Sequence, residues 1–178
     1  MNASEKELLA RLSRYANNEK KAGESFEGYS PDRILQAKKL LGNPDLALET
    51  IHVAGTNGKG SVCHMLAQVL SESGYKTGLY TSPHLESVCE RIRIDGTPIT
   101  PEEFLSLVGL IEMSLAGKNI PLTWFDMVTL SALLHFSNNW VDAAVIETGL
   151  GGRLDARNIH PPAFSIITEI SLHHRPIL

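Results

Sequence analysis

The sequence predicts an α/β fold, a mostly parallel sheet flanked by helices. Two observations carry that reading. Short apolar runs rich in β-branched residues alternate with stretches in which Leu, Val and Ile recur at helical spacing. Strand followed by helix followed by strand is the pattern of parallel crossover units. A third observation places chemistry on this frame. The run Thr50-Ile51-His52-Val53-Ala54 enters Gly55-Thr56-Asn57-Gly58-Lys59-Gly60-Ser61, after which Val62, Met65, Leu66, Val69 and Leu70 mark a helix.

Taken in order, Leu8, Leu9, Leu12 and Tyr15 predict a helix over 4–15, with Ser4 and Glu7 as a capping box. Ser30-Pro31 opens a second helix through Ile34, Leu35, Leu40 and Leu41, closed by Gly42-Asn43-Pro44. The glycine-loop strand and helix follow, the helix ending near Gly74, and Lys76–Thr81 reads as a second strand finishing in Ser82-Pro83-His84. Arg91-Ile92-Arg93-Ile94 alternates and meets Asp95-Gly96, a favoured two-residue hairpin turn, before Thr97-Pro98-Ile99. Its arginines have two readings, a hold on a substrate carboxylate or the solvated face of a hairpin. Thr100-Pro101-Glu102-Glu103 begins a helix that stops at Gly117. Another helix spans Phe125–Phe136, a strand runs from Trp140 to Ile146 and delivers Glu147 into Gly149-Leu150-Gly151-Gly152, and Phe164–Thr168 is the last strand. No repeat, low-complexity segment or linker divides the 178 residues, so one domain is expected.

The glycine loop sits at a helix N-terminus, where unpaired N–H groups and the positive end of the helix dipole favour an anion. Glycines let the backbone approach phosphate oxygens, Lys59 can meet the outer phosphates, and the Ser61 hydroxyl faces a Mg²⁺ ion. The arrangement is P-loop-like with altered spacing. Only Thr56 and Asn57 separate Gly55 from Gly58-Lys59, and Gly60 intervenes before Ser61. Ligands of open parallel sheets bind beyond the carboxyl ends of the strands. Four strands end at the glycine loop, at Ser82, at Glu147 and just before His173-His174, which gathers one phosphate loop and three candidate magnesium or phosphate ligands. A buried glutamate at the end of an apolar strand is offset by a divalent cation or by a salt bridge with Arg153. His52, His64, His135 and His160 read as structural.

Composition narrows the partners. With 43% hydrophobic and 20% charged residues and a net charge of −4, the chain is globular and lacks the basic excess of a nucleic-acid binder. Cys63 and Cys89 form neither a disulfide framework nor a zinc pattern. The polar start Met1-Asn2-Ala3-Ser4 is no secretory signal and no window approaches a membrane span, so a cytoplasmic protein is expected.

Four ordered motifs carry a resemblance. Gly55–Ser61, Thr81-Ser82-Pro83-His84-Leu85, Glu90–Gly96 and Glu147-Thr148-Gly149-Leu150-Gly151-Gly152-Arg153-Leu154-Asp155-Ala156 together resemble folylpolyglutamate synthase/dihydrofolate synthase, of the Mur ligase superfamily. The resemblance covers residues 30 to 174 and implies a P-loop NTPase-like fold of the Mur ligase central-domain type. It implies an ATP-dependent amide ligase of folate biosynthesis and one-carbon metabolism, with L-glutamate and dihydropteroate or a reduced folate as substrates. By this likeness Ser82 and Glu147 are magnesium ligands, joining the loop's Ser61, and His174 binds a second metal. Lys59, Glu147 and His174 are its catalytic residues. Ser82, Pro83 and His84, Thr123-Trp124-Phe125 and Leu154-Asp155-Ala156 line the substrate pocket, although Trp124 and Phe125 read equally as core. Full-length members are implied to be monomers.

The chain departs from the family pattern at His173, where an aspartate is usual, and family members run to roughly twice this length or more. The expectation is a partial ATP-binding domain over 1–178, with an exposed sheet edge and no competence as a ligase in isolation. The alternatives are a Mur-type ligase for a cell-wall precursor and a nucleotide-binding remnant without catalysis.

Overall fold

The computed structural model describes residues 2–17, 31–149 and 161–171. Within them lie five α-helices and a six-stranded sheet. The helices are α1 (Ala3–Leu12), α2 (Asp32–Leu40), α3 (Lys59–Glu72), α4 (Pro101–Ser114) and α5 (Trp124–Asn138). The strands are β1 (Glu49–Ala54), β2 (Thr77–Tyr80), β3 (Ile92–Ile94), β4 (Thr97–Pro98), β5 (Ala143–Glu147) and β6 (Phe164–Ile167).

Strand order is β4-β3-β2-β5-β1-β6. β2, β5, β1 and β6 run parallel, and the β3–β4 hairpin adds an antiparallel edge. The sheet is therefore mixed, with the expected parallel part at its centre. Asp95 (φ 47°) and Gly96 (φ 76°) take the left-handed conformations that a type I′ hairpin turn demands.

The central strands are buried on both faces, which is why they read as apolar runs. Alternation still assigns the faces. Val53, Leu79 and Val145 pack against Cys63 and Ala67 of α3, while Tyr80, Ala144 and Ile146 face the larger core built with α1, α4 and α5. The Tyr80 hydroxyl pairs with Thr129 Oγ1 of α5 at 3.0 Å. Gly78 is required here, since a Cβ would stand 2.9 Å from the Phe136 ring.

Several boundaries differ from expectation for local reasons. The cap of α1 is Asn2, whose side chain accepts from Glu5 N at 2.8 Å, two residues ahead of the expected Ser4. β5 starts at Ala143, because Trp140 adopts φ 54° and stands in solvent, 86% exposed, which ends any extended run there. The Thr100/Glu103 capping box forms as expected. A second box, Thr123 with Asp126, moves the start of α5 forward to Trp124. β6 lies at the sheet edge among the described residues, with Phe164 69% and Ile167 65% exposed.

Candidate nucleotide site

Four strands end together. In the parallel register Val53 of β1 stands beside Glu147 of β5 and Ala54 beside Ile167 of β6. Past β2, Ser82 donates its backbone N–H to Glu147 Oε2 at 2.9 Å, joining the ends of β2 and β5. The Ser82–Pro83 peptide is cis.

The glycine loop occupies the space between β1 and α3. Gly58 caps α3 in the left-handed conformation (φ 79°), and among the described residues no side-chain cap bond is made at this helix start. α1, α4 and α5 are capped by Asn2, Thr100 and Thr123. The start of α3 keeps its donors for another acceptor, which is the condition for binding an anion. Lys59 Nζ donates to Gly55 O at 2.8 Å and Thr56 O at 3.2 Å, so the ammonium lies folded over its own loop. Ser61 is exposed on the first turn of α3.

Glu147 is buried, 5% exposed, and a Cβ placed on Gly60 would lie 3.9 and 4.0 Å from its two carboxylate oxygens. The carboxylate thus faces the N-terminus of α3, where the helix dipole favours negative charge. Carboxylate and hydroxyl oxygens are the donors a hard divalent cation prefers, so Glu147, Ser82 and Ser61 fit magnesium by chemistry. Among the described residues no group of three or more His, Cys, Asp and Glu gathers, so a cation here would draw on hydroxyls and phosphate oxygens as well.

The candidate substrate residues divide. His84, half-buried, accepts from Arg91 Nε through its Nδ1 at 2.8 Å, and the Arg91 guanidinium lies 4.6 Å from the centre of the Trp124 ring. Pro83 is exposed. Thr123 is buried and its hydroxyl is spent on the α5 capping box. Trp124 belongs to the core cluster, and Phe125 packs against that cluster while partly exposed. Leu154, Asp155, Ala156 and His174 lie outside the described residues, as does Arg153.

The contacts of Arg91 and Glu90 were not legible in the sequence. The solvated-face reading of Arg91 is overturned, for it ends a 3₁₀ turn, Val88–Arg91, ahead of the hairpin strand and is only 2% exposed. A guanidinium with an imidazole nitrogen for its Nε–H and an indole face beneath it tolerates burial. Glu90 accepts from the backbone N–H groups of Leu85, Glu86 and Ser87 at 2.8–3.0 Å. Those bonds hold its carboxyl below the usual range and fix the Leu85–Ser87 turn that follows His84. The Ser87-x-x-Glu90 capping-box spacing was the available signal.

No helix among the described residues is long and apolar enough to cross a membrane. The Mur ligase middle-domain family model matches residues 53–175. The chain is 44% identical over 158 residues to the dihydrofolate synthase/folylpolyglutamate synthase of Buchnera aphidicola subsp. Schizaphis graminum, covering 87% of this chain and 37% of that protein. Folylpolyglutamate synthase of Mycobacterium tuberculosis complexed with ADP superposes with a TM-score of 0.83 at 34% identity, over 96% of this chain and 37% of that one. The bifunctional folylpolyglutamate synthase/dihydrofolate synthase of Yersinia pestis complexed with AMPPNP and a Mn ion gives a TM-score of 0.76 at 39% identity, over 80% and 34%. The chain spans about a third of the length of these relatives. With the loop, the strand ends and the family model in agreement, the chain belongs to the Mur ligase family, in its folylpolyglutamate synthase/dihydrofolate synthase branch.

Proposed function

We propose that residues 1–178 form the nucleotide-binding part of an ATP-dependent ligase that adds L-glutamate to dihydropteroate or a reduced folate through an acyl phosphate. The observation that carries the reading is the Glu147 carboxylate, bonded to Ser82 N at 2.9 Å and facing Gly60 of an uncapped helix start. An anion and a cation each find complementary charge within a few ångströms. The names of the relatives, and the ADP and AMPPNP in two of their structures, support the nucleotide and the substrate class.

The loop amides and Lys59 bind the β- and γ-phosphates of ATP, the ammonium exchanging Gly55 O and Thr56 O for phosphoryl oxygens. Glu147, Ser82 and Ser61 are the residues that would hold magnesium. Magnesium, when bound, neutralises charge on the phosphates and orients the γ-phosphoryl group. A substrate carboxylate oxygen attacks the γ-phosphorus and ADP departs. The amine of glutamate then attacks the acyl carbon, phosphate leaves and the amine loses a proton. Positioning dominates such a reaction, and Glu147 holds the Ser82 backbone while Arg91 holds the His84 ring for it. His174, as a ligand of a second metal, and the pocket residues Leu154, Asp155 and Ala156 complete the proposal. A cytoplasmic site of action accords with two cysteines that are both buried thiols.

Calorimetric titration of the chain with ADP, with and without Mg²⁺, tests the nucleotide part, which predicts Mg²⁺-dependent binding. Phosphate release by the full reading frame that contains these residues, dependent on both glutamate and dihydropteroate or a reduced folate, tests the ligase part. Release supported by a cell-wall precursor instead would redirect the substrate assignment.

A further inference from the structure

Thr168, one residue past β6, is where the sheet edge meets the glycine loop. Its N–H donates to Ala54 O at 2.8 Å, and its hydroxyl lies 2.8 Å from Asn57 O and 3.2 Å from Ala54 O. One hydroxyl has one proton, and Ala54 O already accepts an amide, so the shorter contact takes the proton to Asn57 O. The following residues extend the clasp. Thr56 N–H donates to Glu169 O at 2.7 Å, and Ser171 N–H donates to Thr56 Oγ1 at 3.1 Å.

A trans peptide is planar, with its C=O and the next N–H pointing in opposite directions. Holding the Asn57 carbonyl toward Thr168 therefore turns the Gly58 N–H away from β6. The preceding peptides follow the same logic: Thr56 N–H faces Glu169, and the Gly55 carbonyl on the other side receives Lys59. The direction of the loop donors is thus set from β6, across 111 residues of sequence.

We propose that Thr168 is a positioning residue for the phosphate loop, its hydroxyl fixing the Asn57–Gly58 peptide so that the Gly58 amide is presented as a donor to phosphoryl oxygens. The proposal rests on the phosphate-loop reading given above. Valine matches threonine in shape and removes only the hydroxyl, while serine keeps it.

The test uses the full chain as wild type, Thr168→Val and Thr168→Ser, titrated calorimetrically with ADP and with inorganic pyrophosphate, together with ¹H–¹⁵N spectra of the ligand-free proteins. Thr168→Val is expected to weaken both ligands about tenfold, the loss of one hydrogen bond's worth of binding, and Thr168→Ser to restore affinity within about twofold. In the spectra, the Gly58 amide shifts and exchanges faster in Thr168→Val but not in Thr168→Ser. Equal binding by wild type and Thr168→Val, or a serine variant as weak as valine, overturns the proposal. If wild type binds neither ligand, the phosphate-loop reading fails by itself. The Gly58 amide then decides whether Thr168 orients the peptide, and an unmoved resonance overturns that too.

Discussion

Two glycines of one loop should respond oppositely to the same substitution. Gly55 has φ +134°, and a Cβ on it would overlap the Thr168 hydroxyl. An alanine there carries about 1–3 kcal/mol of backbone strain. It also displaces a hydroxyl whose bond to Asn57 O contributes about 1 kcal/mol. Gly55→Ala should therefore destabilise the chain by about 2–4 kcal/mol, a fall of about 1–2 M in the urea midpoint at a slope of about 2 kcal/mol/M. Gly60 lies in the first turn of α3 and its added Cβ meets nothing closer than 3.9 Å. Gly60→Ala should gain up to about 1 kcal/mol from helix propensity. The same methyl enters the space beside Glu147, so ADP affinity in Mg²⁺ should fall even as stability rises. Urea unfolding and calorimetry on both variants read the two effects separately. A Gly55→Ala midpoint equal to that of wild type would refute the clasp between loop and β6. A Gly60→Ala variant with unchanged ADP binding would refute the placement of the phosphates beside Glu147.

Glu147→Gln keeps an acceptor for Ser82 N–H but loses the charge, so the Mg²⁺ dependence of ADP binding should disappear while the thermal midpoint moves by no more than a few degrees. Binding that still responds to Mg²⁺ would remove Glu147 from the cation site. Arg91→Lys forfeits the Nε bond to His84 and the planar contact with Trp124, at about 2–3 kcal/mol, and should shift Trp124 emission. An unchanged spectrum and urea midpoint would show the contact to be idle. Stability should also fall in acid, in two stages. Burial holds the His135 pKa below 6.5, so the unfolded chain binds the proton first and stability declines as pH drops below that value. The Glu90 and Glu103 carboxyls lie below their ordinary 4.5 because of hydrogen bonds from backbone amides and from Thr100. Their contribution is whole above that value and is lost as pH falls through the folded pKa. Urea midpoints from pH 7 to 3 test this, and a profile flat down to pH 4.5 would contradict the burial of His135.

Local signals carried most of the elements. Thr100-Pro101-Glu102-Glu103 marks a helix start because a cap is made within four residues, and Asp95-Gly96 marks a hairpin because only certain residues accept positive φ. Where two local signals competed, position was decided by packing. The box at Thr123 and Asp126, braced by Arg33 Nε at 2.6 Å, starts α5 with a buried Trp124. The order of strands was beyond local reach as well. β1 and β2 flank one crossover helix, yet β5 lies between them, because β5 is buried on both faces and takes the central place.

By itself the sequence determined the parallel α/β frame, the loop Gly55–Ser61 at a helix start, and the meeting of Ser82 and Glu147 beyond the strand ends. Periodicity, glycine placement and helix capping are properties of neighbouring residues, and they are legible without a fold. The burial of Arg91 against Trp124, the Glu90 clasp on the amides of Leu85 to Ser87, and the grip of Thr168 on Asn57 were decided only in three dimensions. Each joins groups through distance and direction. A sequence records which donors and acceptors exist, while the packed sheet decides which of them meet.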